Sequence, residues 1–225
     1  MHPITAYNLH PQAWDYAAQR IGVDVTWLLT VCGFETGHSF NPAQQNFAGS
    51  GATGLIQFMP STAQLLGTTT AALANMTVPQ QLEYVVAYFQ LPGNGAPYND
   101  VGSLYMAVFM PEHKNKPDDY IVIDQDTRPN TYNQNKGLDT NKDGKITRGE
   151  IVARIYNLYA EHWYYNTTPN NTPTPTSQPQ PDPNAHSNGA KKKLRIANHP
   201  TIWRLRPIPN NKINKKRRNG KPKKK

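Results

Sequence analysis

The chain has 225 residues, of which 37% are hydrophobic, enough for one sizeable domain and little more. Its charge is uneven: residues 191–225 contain fifteen Lys and Arg and no acid, whereas residues 1–165 contain nine basic and fourteen acidic residues. The formal charge of +9 therefore describes a basic tail on a mildly acidic domain. The single cysteine, Cys32, excludes an intramolecular disulfide and a cysteine-based metal site.

Two further absences bear on where the protein works. No stretch approaches the roughly 18 apolar residues of a membrane span, so we expect no transmembrane segment. The first residues lack the charged start and apolar stretch of a secretion signal, so we expect no signal peptide. A substrate outside the cytoplasm would have to be reached by another route.

Three segments differ in composition. Residues 1–165 combine helical periodicity with turn residues, and we expect them to form one domain. Residues 166–190 contain six prolines among Thr, Asn, Ser and Gln, which predicts an extended linker. Residues 191–225 form the basic tail, which is too short and too charged to fold alone.

Apolar residues recur at helical spacing through most of residues 1–165, which predicts a mainly α domain. The predicted helices span residues 11–21, 24–36, 61–66, 78–90, 101–109 and 148–165. Cys32 falls on an apolar stripe of the second helix, which is typical of a buried structural thiol. The sequence RPNT at residues 128–131 argues against a regular helix there.

Glu35 is the candidate catalytic acid. It is the only acid between Asp24 and Glu83, and it ends an apolar helix. The C-terminal carbonyls of a helix carry partial negative charge, and Phe34 and Phe40 lower the local polarity, so we expect a raised pKa for Glu35. A carboxylic acid that stays protonated near neutrality can protonate a glycosidic oxygen. From position alone, a solvated glutamate at a helix end is the simpler interpretation.

Two linked motifs favour the catalytic interpretation. Residues 35–42 have the sequence ETGHSFNP, and residues 54–63 have the sequence GLIQFMPSTA. Together they resemble the soluble lytic transglycosylase family of the lysozyme superfamily, whose pattern is Glu-Ser-x-Phe-x-Pro, then Gly-Leu-Met-Gln-x-Met-Pro-x-Thr-Ala. The resemblance covers roughly residues 12–110 and implies a lysozyme-like fold.

The sequence departs from that family pattern in four places. Thr36 replaces the serine, two residues are added before Phe-Asn-Pro, and Ile56 replaces the methionine. The family's later Tyr-Asn-Ala-Gly motif is absent, and residues 104–109, LYMAVF, occupy the corresponding region. Tyr105 either takes over a sugar contact there or is a plain core tyrosine.

The resemblance implies a substrate and a mechanism. The substrate would be the glycan strands of peptidoglycan, cleaved at the β-1,4 bond between N-acetylmuramic acid and N-acetylglucosamine. Glu35 would protonate the leaving oxygen and then accept a proton from the sugar's own 6-hydroxyl, which gives a 1,6-anhydro product. The implied substrate-binding residues are Gly54, Leu55, Ile56, Gln57, Phe58 and Tyr105. Gln57 carries donor and acceptor atoms suited to an N-acetyl sugar, or it stabilises the turn instead.

A lysozyme-type hydrolase (a muramidase) using the same Glu35 is the alternative within the enzyme class. Glycosidases with two carboxylates hold them within roughly 5–10 Å of each other. The sequence places no second acid near Glu35, although several could approach it in space: Asp100, Glu112, Asp118 and Asp119. Hydrolysis is therefore disfavoured but left open.

Residues 139–150, DTNKDGKITRGE, match the EF-hand loop at each diagnostic position. The predicted ligands of one Ca²⁺ ion are Asp139, Asn141, Asp143, Lys145 through its carbonyl, Thr147 and Glu150, with Gly144 permitting the sharp turn. An Asn/Asp-rich surface turn is the alternative. Sensor proteins usually pair two such loops, and this sequence has one, so the predicted calcium is structural.

The basic tail would attract a polyanion: nucleic acid, an envelope polymer or an acidic virion protein. A solubilising end is the alternative. A glycan-cleaving domain joined to such a tail, without a secretion signal, predicts a bacteriophage protein, carried in the virion or released to the bacterial periplasm and cell wall. Outside the enzyme class, the chain could be a calcium-binding or nucleic-acid-binding structural protein. Neither explains why residues 54–63 follow Glu35 as they do.

Overall fold

Helices dominate the part of the chain that the computed structural model describes, residues 1–46 and 49–165. The α-helices are α1 (Pro3–Leu9), α2 (Pro11–Ile21), α3 (Val25–Glu35), α4 (Pro60–Leu65), α5 (Thr70–Ala74), α6 (Val78–Phe89), α7 (Val101–Phe109), α8 (Pro129–Asn135) and α9 (Arg148–Ala160). A π-helical turn, Glu161–Tyr165, continues α9. The predicted mainly α class is confirmed. The predicted linker and tail, residues 166–190 and 191–225, lie outside the described residues.

Helix α3 is the centre of the packing, and it contacts α1, α2, α7 and α9. It begins at Asp24, whose carboxylate accepts a 2.8 Å hydrogen bond from the Thr26 N–H. Its buried residues are not confined to one stripe: Leu28, Leu29, Thr30, Val31, Cys32 and Gly33 are all buried. The sequence is apolar almost all round, which is typical of a helix with neighbours on every side. None of the described helices is both long and apolar enough to cross a membrane.

The C-terminal helix covers the polar part of α3. The Tyr159 hydroxyl lies 3.2 Å from the Thr26 hydroxyl. The indole N–H of Trp163 donates a 3.0 Å hydrogen bond to Thr30, which is fully buried. Both hydroxyls also donate hydrogen bonds locally, Thr26 to the Asp24 carboxylate and Thr30 to the Thr26 carbonyl at 2.7 Å, so the C-terminal contacts add to bonds that α3 makes itself.

Arg148, the first residue of α9, joins this helix to α7 and to the loop after it. Its guanidinium donates hydrogen bonds to the Asp118 carboxylate, to Asp100 at 3.3 Å, to the Ser103 hydroxyl at 3.1 Å and to the Lys114 carbonyl at 3.2 Å. The Arg148 side chain is 5% exposed, whereas those of Asp100 and Asp118 are 30% and 34% exposed. A buried cation is thus paired with two partly hydrated anions.

A small antiparallel sheet pairs β1 (Ile121–Asp124) with β2 (Lys145–Thr147). Ile123 lies opposite Ile146, and both side chains are fully buried. Helix α8 precedes the loop that leads to β2, so the expectation that residues 128–131 prevent a helix there is wrong. Pro129 lies in the first turn of α8, where a missing N–H costs nothing.

Three histidines from distant parts of the chain meet beside the π-helical turn. The ring of His162 lies 5.1 Å from that of His2 and 5.5 Å from that of His38, centroid to centroid. Nδ1 of His162 is buried and has no hydrogen-bond partner among the described residues. Burial, together with the neighbouring His38 and His2, lowers the pKa of His162 to about 4.

This histidine cluster predicts a loss of stability in mild acid. His162 has an ordinary pKa of about 6.5 when unfolded, so between pH 6.5 and 4 the unfolded chain binds the additional proton. Stability must therefore fall as the pH falls through that window. We expect the melting temperature to drop less between pH 7 and pH 5 in His162→Gln than in the wild type. His10→Gln, outside the cluster, is the control, and an equal drop in all three proteins would contradict the assignment.

Candidate active site

Glu35 is the last residue of α3, and the chain turns sharply after it. The His38 N–H bonds to the Gly33 carbonyl at 2.7 Å, and the Gly37 N–H bonds to the Phe34 carbonyl at 3.3 Å. Gly37 has a positive φ of 58°, so this is a Schellman motif with glycine in its left-handed position. The motif fixes where the helix ends, and therefore where the Glu35 carboxyl is presented.

The loop that leaves Glu35 is anchored by Thr36 and Phe40. The Thr36 hydroxyl donates to the Cys32 carbonyl at 2.7 Å and accepts a 3.1 Å hydrogen bond from the Phe40 N–H. The Phe40 ring packs edge-on against Trp14 and lies so close to Gly33 that a Cβ there would be 2.9 Å from Cζ of Phe40. The substituted Thr36 thus supplies a hydroxyl, as serine would, while the longer loop reaches back into the core.

Glu35 lies in the interior of the protein. Glu35 is 6% exposed. Burial raises the pKa of the Cys32 thiol, and the negative charge of Glu35 raises it further, so the two groups are electrostatic neighbours. The Phe34 ring meets the Tyr105 ring edge-on at 5.1 Å, and Tyr105 stacks on Phe109 at 5.9 Å. Tyr105 thereby lies beside the end of α3 that carries Glu35.

The second motif begins with a tight turn at residues 54–57. Two isolated β-bridges hold it: Thr53, before the turn, pairs with Phe58, after it, and also with Gln45. The Gln57 N–H bonds to the Gly54 carbonyl at 3.0 Å, and both residues have positive φ, 51° and 87°. A positive φ is ordinary for glycine and uncommon for glutamine, so the turn holds Gln57 in a strained conformation.

The predicted sugar-contacting side chains are mostly buried. Leu55, Ile56 and Phe58 are at most 1% exposed, Gln57 is 3% exposed and Tyr105 is 7% exposed. The Gln57 amide nitrogen donates to the Gly54 carbonyl at 3.0 Å and the Gln44 carbonyl at 3.1 Å. Its Oε1 is buried without a partner among the described residues. In this conformation Gln57 ties the turn to residue 44.

The four acids considered as a second carboxylate have other surroundings. Asp100 and Asp118 are paired with Arg148. Glu112 has a 61% exposed side chain, 3.7 Å from His113. Asp119 is exposed.

The loop at residues 139–150 has oxygen-rich side chains that are held by backbone N–H groups. Asp139 accepts hydrogen bonds from the Lys142 N–H at 2.6 Å and the Gly144 N–H at 3.0 Å. A hydrogen bond from the Tyr132 hydroxyl is the main cause that holds the pKa of Asp139 below its usual value. Gly144 adopts the positive φ of 83° that the sharp turn requires.

Glu150, the last predicted calcium ligand, lies in the first turn of α9. Glu150 accepts hydrogen bonds from the Thr147 N–H at 3.0 Å and the Thr140 N–H at 2.9 Å, the first as part of a capping box. Within residues 1–46 and 49–165, no group of three or more acidic, histidine or cysteine side chains is arranged to hold a metal. The donor types suit calcium, but coordination would require Glu150 to exchange its capping bonds for the ion.

Comparison with protein families identifies the segment that carries this site. Residues 12–87, about a third of the chain, match the family model of the transglycosylase SLT domain. Residues 12–87 are therefore similar to SLT domains. This similarity, to a family of the lysozyme-like superfamily, points to a peptidoglycan-degrading transglycosylase. The match ends before residue 110, to which the sequence resemblance extended. A comparison with curated proteins found no match.

One buried residue of the SLT domain was not recognised from the sequence. Gln81 of α6 is fully buried and hydrogen-bonds to the 54–57 turn through the Leu55 N–H at 2.7 Å. The sequence pattern that could have revealed it is a glutamine at an apolar position of α6, beside Leu82 and one turn before Val85.

Proposed function

We propose that the protein cleaves the β-1,4 bond between N-acetylmuramic acid and N-acetylglucosamine in peptidoglycan, with Glu35 as its only catalytic acid and base. The observation that carries this proposal is the burial of Glu35 at the end of α3, inside the segment that matches the SLT domain. Burial disfavours the ionised form of a carboxyl, so a group in this position is suited to donate a proton first.

The proposed reaction uses one carboxyl twice. Glu35 protonates the glycosidic oxygen as the bond from that oxygen to C1 of N-acetylmuramic acid breaks. The resulting carboxylate then accepts the proton of the 6-hydroxyl of the same sugar while O6 forms a bond to C1. The product is a 1,6-anhydro sugar, no water is consumed, and Glu35 ends protonated as it began.

The surroundings of the remaining acids favour this reaction over hydrolysis. An inverting hydrolase needs a base for water, and a retaining one needs a nucleophilic carboxylate. Two of the four acids considered for that role are engaged by Arg148, and the other two are exposed.

The product tests the mechanism directly. Digestion of purified peptidoglycan should release muropeptides ending in 1,6-anhydro-N-acetylmuramic acid, each one water lighter than the hydrolytic product. Mass spectrometry before and after borohydride reduction distinguishes the two, because only a reducing end takes up hydrogen. Reducible ends alone would reassign the protein as a muramidase with the same Glu35.

We also propose that residues 139–150 bind one structural Ca²⁺ ion. The side-chain oxygens of Asp139, Asn141, Asp143 and Glu150 and the carbonyl of Lys145 are the donor types that calcium prefers. The loop runs between α8 and α9, and Arg148, which belongs to it, contacts α7 through Ser103. An ion here would stabilise the start of α9.

Thermal unfolding tests this calcium proposal. Calcium should raise the melting temperature. At a free calcium concentration of a hundred times the Kd, the gain in the free energy of unfolding should be about 2.7 kcal/mol. Magnesium should do so poorly, because it gives up its waters reluctantly. Glu150→Gln keeps one oxygen acceptor for the cap but removes the charge, so its calcium-induced shift should largely vanish, whereas Glu161→Gln should keep it. Equal melting temperatures for the wild type in chelator and in millimolar calcium would refute the site.

For residues 191–225 we propose electrostatic binding to a polyanion, supported by fifteen basic residues without an acid. These residues lie outside the described part of the chain. Phage origin and a place in the virion, periplasm or cell wall stay predictions from the sequence.

A further inference from the structure

Gln81 is a buried polar residue to which the proposed reaction assigns no role. Its side chain is fully buried on α6, where its neighbours in sequence and along the helix, Leu82 and Val85, are buried apolar residues. An amide in such a place costs free energy unless its hydrogen bonds are made. Leucine would fill the same helix position without that requirement, so the partners of the amide are informative.

The amide makes three hydrogen bonds, all to backbone groups of other segments. Oε1 accepts the Leu55 N–H at 2.7 Å, and Nε2 donates to the Pro42 carbonyl at 3.1 Å and the Leu73 carbonyl at 2.9 Å. The orientation of the amide is determined by these partners, because an N–H lies on one side and two carbonyls on the other. Gln81 thus joins the loop after Glu35, the 54–57 turn and α5.

Gly54 packs directly against the side-chain amide of Gln81. A Cβ at Gly54 would lie 2.6 Å from Nε2 of Gln81 and closer still to Oε1. Only a residue without a side chain allows the turn to approach α6 this closely. The glycine of the second motif is therefore explained by Gln81 as well as by its positive φ.

A second glutamine holds the same turn from the other side. Gln57 donates to the carbonyls of Gly54 and Gln44, and the Gly54 N–H bonds to the Gln44 carbonyl at 2.8 Å. Residues 42–44 are therefore tied to the turn three times: by the Gln57 side chain, by the Gly54 N–H and by the Gln81 side chain. Those residues belong to the segment that leaves Glu35, so the two amides relate the turn to the catalytic helix.

We infer that Gln81 is a positioning residue, which holds the 54–57 turn in register with the Glu35 loop so that the turn can receive the glycan. This role rests on the proposed function, since the turn is the proposed sugar-binding element. Gln81 does not touch the reacting bond, so its loss should weaken glycan binding more than it slows the chemical step.

Three variants test the inference. Gln81→Leu removes all three hydrogen bonds at similar volume, and a misplacement of about 1 Å in such a site can cost on the order of 10²-fold in kcat/KM. We expect that loss on purified peptidoglycan, mostly as a higher apparent KM. Gln81→Glu keeps the acceptor for Leu55 but turns a carboxylate oxygen toward the two carbonyls. Protonation restores a donor, so its activity relative to the wild type should rise as the pH falls. Gln81→Asn replaces the leucine variant if the latter does not fold.

Asn94→Leu is the matched control. Asn94 is another buried amide, 8% exposed, which lies after the end of α6 and donates to the Tyr88 carbonyl at 3.1 Å. Its other hydrogen bonds, with Leu91 and Tyr98, do not reach the turn either. It should lower the melting temperature without raising the apparent KM, when both variants are assayed well below their melting temperatures. If activity follows melting temperature alike in the two variants, Gln81 contributes general stability only and the inference is wrong.

Hydrogen exchange provides a readout independent of catalysis. Gln81→Leu should lose protection in the peptide covering residues 52–58, which contains the Leu55 N–H, and Asn94→Leu should not. Unchanged protection there would overturn the inference even if activity fell. If the wild type releases no glycan fragments, the proposed function fails, and the exchange experiment still decides whether Gln81 holds the turn.

Discussion

Replacing Glu35 with glutamine should abolish the release of glycan fragments while leaving the fold intact. The amide has nearly the same shape but neither donates nor accepts the catalytic proton at neutral pH. General acid–base catalysis contributes about 10²–10⁴-fold, and here one group serves both steps, so we expect a loss of at least about 10³-fold. The measurement is the rate of muropeptide release from purified peptidoglycan, with circular dichroism to verify folding.

Glu83→Gln is the matched control for this prediction. Glu83 lies on α6 with a 55% exposed side chain and pairs with Arg20 at 3.0 Å, so its loss should leave the rate unchanged. Activity of Glu35→Gln within tenfold of the wild type would remove Glu35 from the mechanism. Binding of the inactive variant to peptidoglycan should persist, because the substitution leaves the proposed sugar-binding turn, residues 54–57, unchanged.

Arg148→Met should lower the free energy of unfolding by about 3 kcal/mol. Methionine can replace the apolar stem but not the hydrogen bonds, so the buried Ser103 hydroxyl and the partly buried Lys114 carbonyl lose this donor. Breaking a fully buried ion pair costs about 3–5 kcal/mol. The partners Asp100 and Asp118 are about a third exposed and can rehydrate, so the lower end applies. The melting temperature should fall by on the order of 10 °C.

Arg154→Met tests whether the effect is specific to the buried guanidinium. Arg154 lies on the same helix with its side chain exposed, and its replacement should change the stability by less than about 0.5 kcal/mol. Chemical denaturation of the two variants side by side measures the difference. Equal destabilisation would mean that the hydrogen bonds of Arg148 contribute nothing beyond helix propensity.

The long helices could be predicted from the sequence because apolar periodicity and end signals agreed. The helices expected at residues 11–21 and 101–109 match α2 and α7 in both bounds. The helix expected at 78–90 differs from α6 by one residue at one end, and the helix expected at 61–66 differs from α4 by one residue at each end. The short helix α4 was found from the proline and glycine that flank it, whereas α1 and α5 were missed and α8 was excluded. Five to seven residues contain little periodicity, and caps such as Thr69 Oγ1 at α5 appear only in the folded chain.

The catalytic candidate was accessible from the sequence, and its supporting contacts were not. Glu35 and the 54–57 turn are contiguous motifs with recognisable residue types. Gln81 acts through Pro42, Leu55 and Leu73, three backbone positions that no local pattern connects. The hydrogen-bonding capacity of a side chain can be read from a sequence, but its partners depend on tertiary packing.

Because α3 lies at the centre of the packing, the segment that matches the SLT family is smaller than the unit that must fold. The SLT match ends at residue 87, yet α7 and α9, which pack on α3, begin at residues 101 and 148. A fragment cut at the end of the match would expose the Phe34 ring that meets Tyr105 and would uncover α3 at Thr30, where Trp163 donates its hydrogen bond. Such a fragment would expose an apolar surface that promotes aggregation. In engineering or domain exchange, the portable module is therefore the whole of residues 1–165.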